Sequence, residues 1–219
     1  MTDYARLREQ MVDNQLRTSD VQNYRVLEAM GKVPRELFVP EAEREMAYRD
    51  AALQISSDPD RFLTQPAVLA RMIQAADVSS DDVVLEIGCG SGYASAILAE
   101  LANSVIALDE DAELVGRADR VLEELELGNV GVIQGDLLAG CPDEAPFDAI
   151  VITAAIGHVP QALLDQLKEG GRLICGEGAG LSGEVCVYQR FGDSWTRTPK
   201  FNAALHNLSN FELKKEFVF

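Results

Sequence analysis

Between Val83 and Cys175 the chain alternates short apolar runs with longer stretches in which apolar residues return every three or four positions. The runs Val83–Ile87, Val105–Leu108, Val130–Ile133, Phe147–Ile152 and Arg172–Cys175 predict buried strands. Between them, Tyr93–Leu101, Asp111–Leu125 and Gln161–Leu167 predict helices. The middle one places Leu114, Val115, Ala118, Val121, Leu122 and Leu125 on one stripe. The last stops at Gly170-Gly171. Strands alternating with helices imply a parallel sheet covered on both faces. After Cys175 the pattern changes: Glu184–Phe191 and Trp195–Phe201 flank Gly192-Asp193-Ser194, which predicts an antiparallel hairpin at the end of the sheet.

The first third is different. Asp3–Leu16 and Val21–Met30 read as helices, the second with Ser19 and Asp20 as N-cap candidates. Pro34 and Pro40 bracket a short connection. Asp50–Thr64 contains SSDPDR, a polar loop signal, and Pro66 opens a helix to about Ala76. There is no internal repeat, low-complexity tract or flexible linker, so residues 1–219 are expected to form one domain.

Composition narrows the function classes. An apolar share of 47% with 25% charged residues is that of a globular chain. The net charge of −17 disfavours nucleic acid, whose binding needs Lys and Arg against phosphates. Arg6, Arg8 and Arg17 read as solvated helix charges. No stretch approaches the roughly 18 apolar residues of a membrane span, and MTDYARLREQ lacks the apolar core of a secretory signal. A cytoplasmic protein with no membrane partner is expected. Cys89, Cys141, Cys175 and Cys186 form no C-x-x-C pair, and His158 and His206 have no ligand spacing, so no metal is expected. Cys175 and Cys186 read as core; a nucleophilic Cys89 has no nearby histidine as base.

The chemistry concentrates in Glu86-Ile87-Gly88-Cys89-Gly90-Ser91-Gly92, directly after the first predicted strand of the sheet. Glycines let the backbone turn tightly and approach a ligand. The plainer reading is a tight strand-to-helix turn. The spacing is G-x-G-x-G, with Tyr93 where the dinucleotide fingerprint has its last glycine. That departure, and a carboxylate at Glu86 that would repel pyrophosphate, disfavour NAD and favour S-adenosylmethionine. Asp109 ends the next strand, twenty-one residues after Gly88, where a carboxylate can accept both ribose hydroxyls.

The segment VVLEIGCGSGYASAILAE resembles motif I of class I methyltransferases, in particular the protein-L-isoaspartate O-methyltransferases. MVDNQL, RVLEAMGKVPRELFVPE and AYRDAAL are similar to that family's N-terminal signature, and Thr64-Gln65-Pro66 to its Ser/Thr-Gln-Pro segment. FDAIVITAA and VPQALLDQLKEGGRLI resemble its later motifs, so the likeness covers roughly residues 10 to 190. It implies a Rossmann-like α/β fold, with a mostly parallel sheet, the C-terminal antiparallel hairpin and additional N-terminal helices. Residues 1–80 would form the helical and substrate-loop region, and 81–219 the cofactor-binding sheet.

The resemblance also implies roles. Glu86, Gly88 and Gly90 would line the methionyl part of S-adenosylmethionine and Asp109 the ribose, with Ser91, Gly92 and Glu110 also in the cofactor site. Asp136 and Leu137 would flank adenine, although Asp136 reads equally as a turn or cap carboxylate. Thr64 matches the hydroxyl residue of the active site; by itself it reads as a helix N-cap. The implied reaction moves a methyl group to the carboxylate of isoaspartyl residues in damaged peptides or proteins, leaving S-adenosyl-L-homocysteine. Ser56–Thr64 lacks the glycines and histidine of the family's GHGQTIS-like loop, and Asp58 and Asp60 would repel an anion unless Arg61 or another cation screens them. A small-molecule or other carboxylate acceptor, and a silent cofactor-binding regulator, therefore stay open as alternatives.

Overall fold

The computed structural model describes residues 2–57, 60–178 and 183–211. Its sheet has seven strands in the order β5-β4-β3-β6-β7-β8-β9. These are β3 (Val83–Ile87), β4 (Ser104–Asp109), β5 (Val130–Gln134), β6 (Phe147–Ile156), β7 (Leu167–Glu177), β8 (Gly183–Phe191) and β9 (Ser194–Ala203). Strands β3 to β7 pair in parallel; β8 and β9 add antiparallel. Strand residues point alternately to the two faces, and β3 sorts accordingly. Val84 joins a cluster with the helices α3 (Pro66–Ala76), α4 (Tyr93–Ala99) and α5 (Ala112–Glu124). Leu85 and Ile87 join one with α6 (Gln161–Asp165), Leu208 and Phe211.

Local chemistry explains most boundaries. Pro66 starts α3 at the position where a missing N–H costs nothing, and Asp111 caps α5 by accepting Leu114 N at 2.8 Å. Ahead of them, α1 (Tyr4–Met11) continues as a π turn over Val12–Leu16. Helix α2 (Tyr24–Lys32) is capped by Asn23, not by Ser19 or Asp20. Asp20 instead takes a left-handed conformation that closes the preceding turn. The last helix is shorter than its periodicity suggested, because Leu167 already pairs with Phe147 as the start of β7.

The largest departure from the sequence reading is the polar segment after Asp50. It forms a second, two-stranded sheet: β1 (Leu53–Ser57) pairs antiparallel with β2 (Asp60–Leu63), Leu53 opposite Leu63. Asp58 and Pro59 of the expected loop lie outside the described residues. Leu53, Ile55, Arg61 and Leu63 are buried, so this hairpin lies against the molecule as a cover. The polar SSDPDR run reads as a loop, and Arg61, a charged residue at an inward position, hides the strand within it.

Candidate active site

Strand order reverses between β3 and β6, the crevice where open α/β sheets bind ligands beyond the strand ends. The glycine loop leaves β3 at this point. Its Gly88 N and Cys89 N donate to Leu108 O at 2.8 and 3.1 Å, and Gly92 N donates to Cys89 O at 2.9 Å. Gly88, Gly90 and Gly92 all have positive φ, +72°, +56° and +88°, conformations that side chains strain to adopt. Gly92 also faces α5, where an added Cβ would lie 3.1 Å from Ala118 Cβ. Gly92→Ala is therefore expected to destabilise the fold by about 1–3 kcal/mol, readable as a lower urea midpoint with an unchanged slope. Tyr93 occupies the place of a dinucleotide fingerprint's last glycine because it packs inward, with Phe38 5.4 Å away and Arg35 over its ring at 4.7 Å.

Asp109 is fully buried at the end of β4. One of its oxygens accepts Gly90 N at 2.8 Å and the other Asp111 N at 3.2 Å. Burial pushes this carboxyl above the usual carboxylate range, opposed by the Gly90 N–H and by Arg61. Glu86, buried on β3, accepts a short hydrogen bond from Ser95 of α4. Burial raises its pKa to about 8, with Ser95 lowering it and Asp109 adding to the rise. Ser91 is buried and its hydroxyl has no partner among the described residues.

Asp136 follows β5 at the same end of the sheet and accepts Leu138 N at 2.9 Å, so it is a turn carboxylate. Leu137 beside it is buried, while Glu110 is half-buried and bonded to Arg61. Burial pushes the Cys89 thiol far up, which leaves no thiolate for a nucleophile.

Thr64 reaches the crevice from β2. Its hydroxyl donates to Thr153 O at 2.6 Å, where β6 shifts register against β7 and frees that carbonyl. It is not the cap of α3: that position is Gln65, which makes no side-chain capping bond. Arg35, fully buried, holds Thr64 from behind, donating to Thr64 O at 2.9 Å and to Ala47 O at 2.8 Å. The signature VPRELF thus supplies a tie between two separate segments, a role that composition and periodicity could not reveal.

The β1–β2 hairpin closes the site. Ile55, Arg61, Phe62 and Thr64 face Glu86, Gly88, Gly90, Tyr93 and Thr153 around a cavity of about 30 Å³. Ile55 Cδ1 would lie 2.8 Å from a Cβ on Gly90, and Leu208 Cδ2 3.0 Å from one on Gly88. Phe62 stacks on His206 with ring centroids 3.5 Å apart, which joins the hairpin to the segment after β9. Next to this cover lies a broader surface cleft of about 600 Å³ lined by Asp50, Ala52, Asp60, Gln65, His206 and Asn207. Among the described residues no cluster of His, Cys, Asp and Glu could hold a metal ion.

Residues 6–200 match the family model for protein-L-isoaspartate(D-aspartate) O-methyltransferase. A curated protein from Syntrophobacter fumaroxidans, protein-L-isoaspartate O-methyltransferase 1, is 43% identical over 189 residues, 86% of this chain and 87% of that protein. A solved protein-L-isoaspartate O-methyltransferase superposes with a TM-score of 0.80 at 24% identity, over 91% of this chain and 65% of the other. A Plasmodium falciparum protein described as belonging to the same class, in complex with S-adenosyl-L-homocysteine, gives 0.76 at 20% identity over 95% and 99%. At these identities the two structures speak for the fold alone. The family model and the curated relative go further: this chain belongs to the protein-L-isoaspartate(D-aspartate) O-methyltransferase family.

Proposed function

We propose that this protein is an S-adenosylmethionine-dependent methyltransferase that esterifies the carboxylate of isoaspartyl residues in damaged proteins. The observation that carries the reading is the convergence, at the strand-order switch point, of a glycine loop, two buried carboxylates and the Thr64 hydroxyl. The residues fit the cofactor. The glycines put no Cβ atom in a ligand's way, the buried Ser91 hydroxyl has no partner among the described residues, and Glu86 is an anion-in-waiting for an ammonium group. Glu86, Gly88, Gly90 and Ser91 would hold the methionyl part, Asp109 and Glu110 the ribose, and Asp136 and Leu137 the adenine edge. Gly92 contributes by letting α4 approach α5.

When bound, the cofactor supplies a methyl group activated by its sulfonium. A carboxylate is already a competent nucleophile at neutral pH, so the chain's task is alignment and exclusion of water rather than proton abstraction. Thr64 donates its proton to Thr153 O while lining the cavity, which fits a positioning group. Thr64→Ala is expected to lower kcat about 10-fold or more, the scale of one lost oriented hydrogen bond. Affinity for S-adenosylhomocysteine should hardly change. Equal turnover would leave Thr64 with a packing role only.

A cavity of about 30 Å³ is far below the roughly 300 Å³ or more of small-molecule sites. Ligand entry in this reading moves the β1–β2 hairpin outward, and the adjoining cleft takes the rest of the acceptor chain. The N-terminal helices and the sheet share one hydrophobic cluster, which supports reading the chain as one domain. No helix among the described residues is long and apolar enough to cross a membrane, and we place the reaction in the cytoplasm with neither membrane nor nucleic acid as partner.

An acceptor panel tests the assignment. Mass spectrometry should find one methyl group added to an isoaspartyl peptide, and none on the matched aspartyl peptide or on small carboxylic acids. Methylation of the small acids alone would give the function to the alternative acceptor class.

A further inference from the structure

Arg61 is a charged side chain, 4% exposed, whose hydrogen bonding is incomplete. Its Nη2 donates to Glu110 Oε1 at 2.7 Å and lies 3.9 Å from Asp109 Oδ1. Its Nε and Nη1 are buried with no partner among the described residues. A guanidinium carries five N–H donors, and leaving buried donors of a cation unpaired costs more than an ordinary hydrogen bond returns. Such a group is stable in place only if something tethers its charge, which Glu110 and Asp109 do. It is fully satisfied only if a further acceptor arrives.

The cavity wall that contains Arg61 also contains Thr64 and Thr153. Glu86 lines the same space, and Arg61 is the one cation among the described residues lining it. An anionic acceptor entering there meets the Glu86 carboxyl and, in Arg61, a cationic side chain able to attract it. We propose that Arg61 is the carboxylate receptor of this site. Nη2 stays tethered to Glu110 while Nε and Nη1 donate to a carboxylate delivered by a ligand. The carboxylate it is placed for is the methyl-accepting one, since Arg61 stands on β2 three residues before Thr64. This rests on the methyl-transfer reading above and names the group that recognises its acceptor. It also gives the arginine in the middle of an acidic hairpin a purpose that charge screening alone does not require.

The test is calorimetric and compares wild type with Arg61→Ala and Arg61→Lys. The probes are S-adenosylhomocysteine, adenosine, and, on protein loaded with S-adenosylhomocysteine, an isoaspartyl peptide and its side-chain amide counterpart. Arg61→Ala should weaken the isoaspartyl peptide about 10-fold or more, the scale of a lost charge-assisted hydrogen bond. The amide peptide and S-adenosylhomocysteine should bind as before, and Arg61→Lys should recover part of the loss, which a purely structural role would not produce. If S-adenosylhomocysteine weakens while adenosine does not, the receptor stands but its carboxylate is the cofactor's own. Unchanged peptide binding overturns the proposal. So does tighter S-adenosylhomocysteine binding in Arg61→Ala, which would make Arg61 a competitor for the ribose carboxylates. Wild type that fails to bind S-adenosylhomocysteine removes the methyl-transfer reading itself, and this proposal with it. Should Arg61→Ala not fold, judged by circular dichroism, Arg61→Lys and Arg61→Gln carry the same comparison.

Discussion

Asp109→Ala is expected to weaken S-adenosylhomocysteine binding by about 1–3 kcal/mol, roughly 5- to 150-fold, through lost hydrogen bonds to a charged group. The structure makes this residue do two things at once. Its carboxylate anchors the loop tip by accepting Gly90 N, and it opens the next helix by accepting Asp111 N. It is also part of the anionic pair that tethers Arg61. Removing it leaves a buried N–H and weakens the tether, so a lower melting temperature should accompany the lost affinity. Asp109→Asn keeps an acceptor for Gly90 and separates the two effects: most of the stability should return, and less of the affinity. Unchanged calorimetric affinity in Asp109→Ala would remove the ribose role.

Glu86 gives the second large effect, and its sign follows from burial. Its folded-state pKa of about 8 lies above the ordinary value of 4.5, so between those values the folded protein binds more proton than the unfolded chain. Stability contributed by the protonated group is therefore complete below pH 4.5 and is lost as pH rises toward 8. The slope is at most about 1.4 kcal/mol per pH unit. Glu86→Gln should flatten that slope. The cofactor carries an ammonium group, which favours ionised Glu86, so ligand binding should expel the proton. Affinity for S-adenosylhomocysteine is expected to rise with pH between 6 and 8, by up to about 10-fold per unit, and the rise should vanish in Glu86→Gln. Affinity independent of pH in wild type would place the ammonium elsewhere.

What the sequence revealed and what it hid divide along the distance between interacting residues. The glycine loop, Asp109 and Pro66 act on neighbours within one βαβ unit or one helix turn, so spacing alone locates β3 and α3 within their observed bounds. The cover could not be read this way. Ile55 meets Gly90 and Phe62 meets His206, contacts between residues that are remote along the chain. Arg61 actively misleads, because a charged residue at an inward strand position breaks the alternation by which a half-buried strand is recognised. The N-cap of α2 was hidden for a smaller reason. Ser19, Asp20 and Asn23 are all competent caps, and the left-handed turn at Asp20 decides among them. Arg35 was visible only as part of a signature; its bonds to Ala47 and Thr64 are what give that signature a physical meaning.

The most direct measurement follows a labelled methyl group from S-adenosylmethionine onto an isoaspartyl peptide and then raises the pH. The expected result is label on the peptide that depends on wild-type protein and leaves as methanol in alkali, as a carboxyl ester must. Tight S-adenosylhomocysteine binding with no label on the peptide, or label that survives alkali, would contradict it.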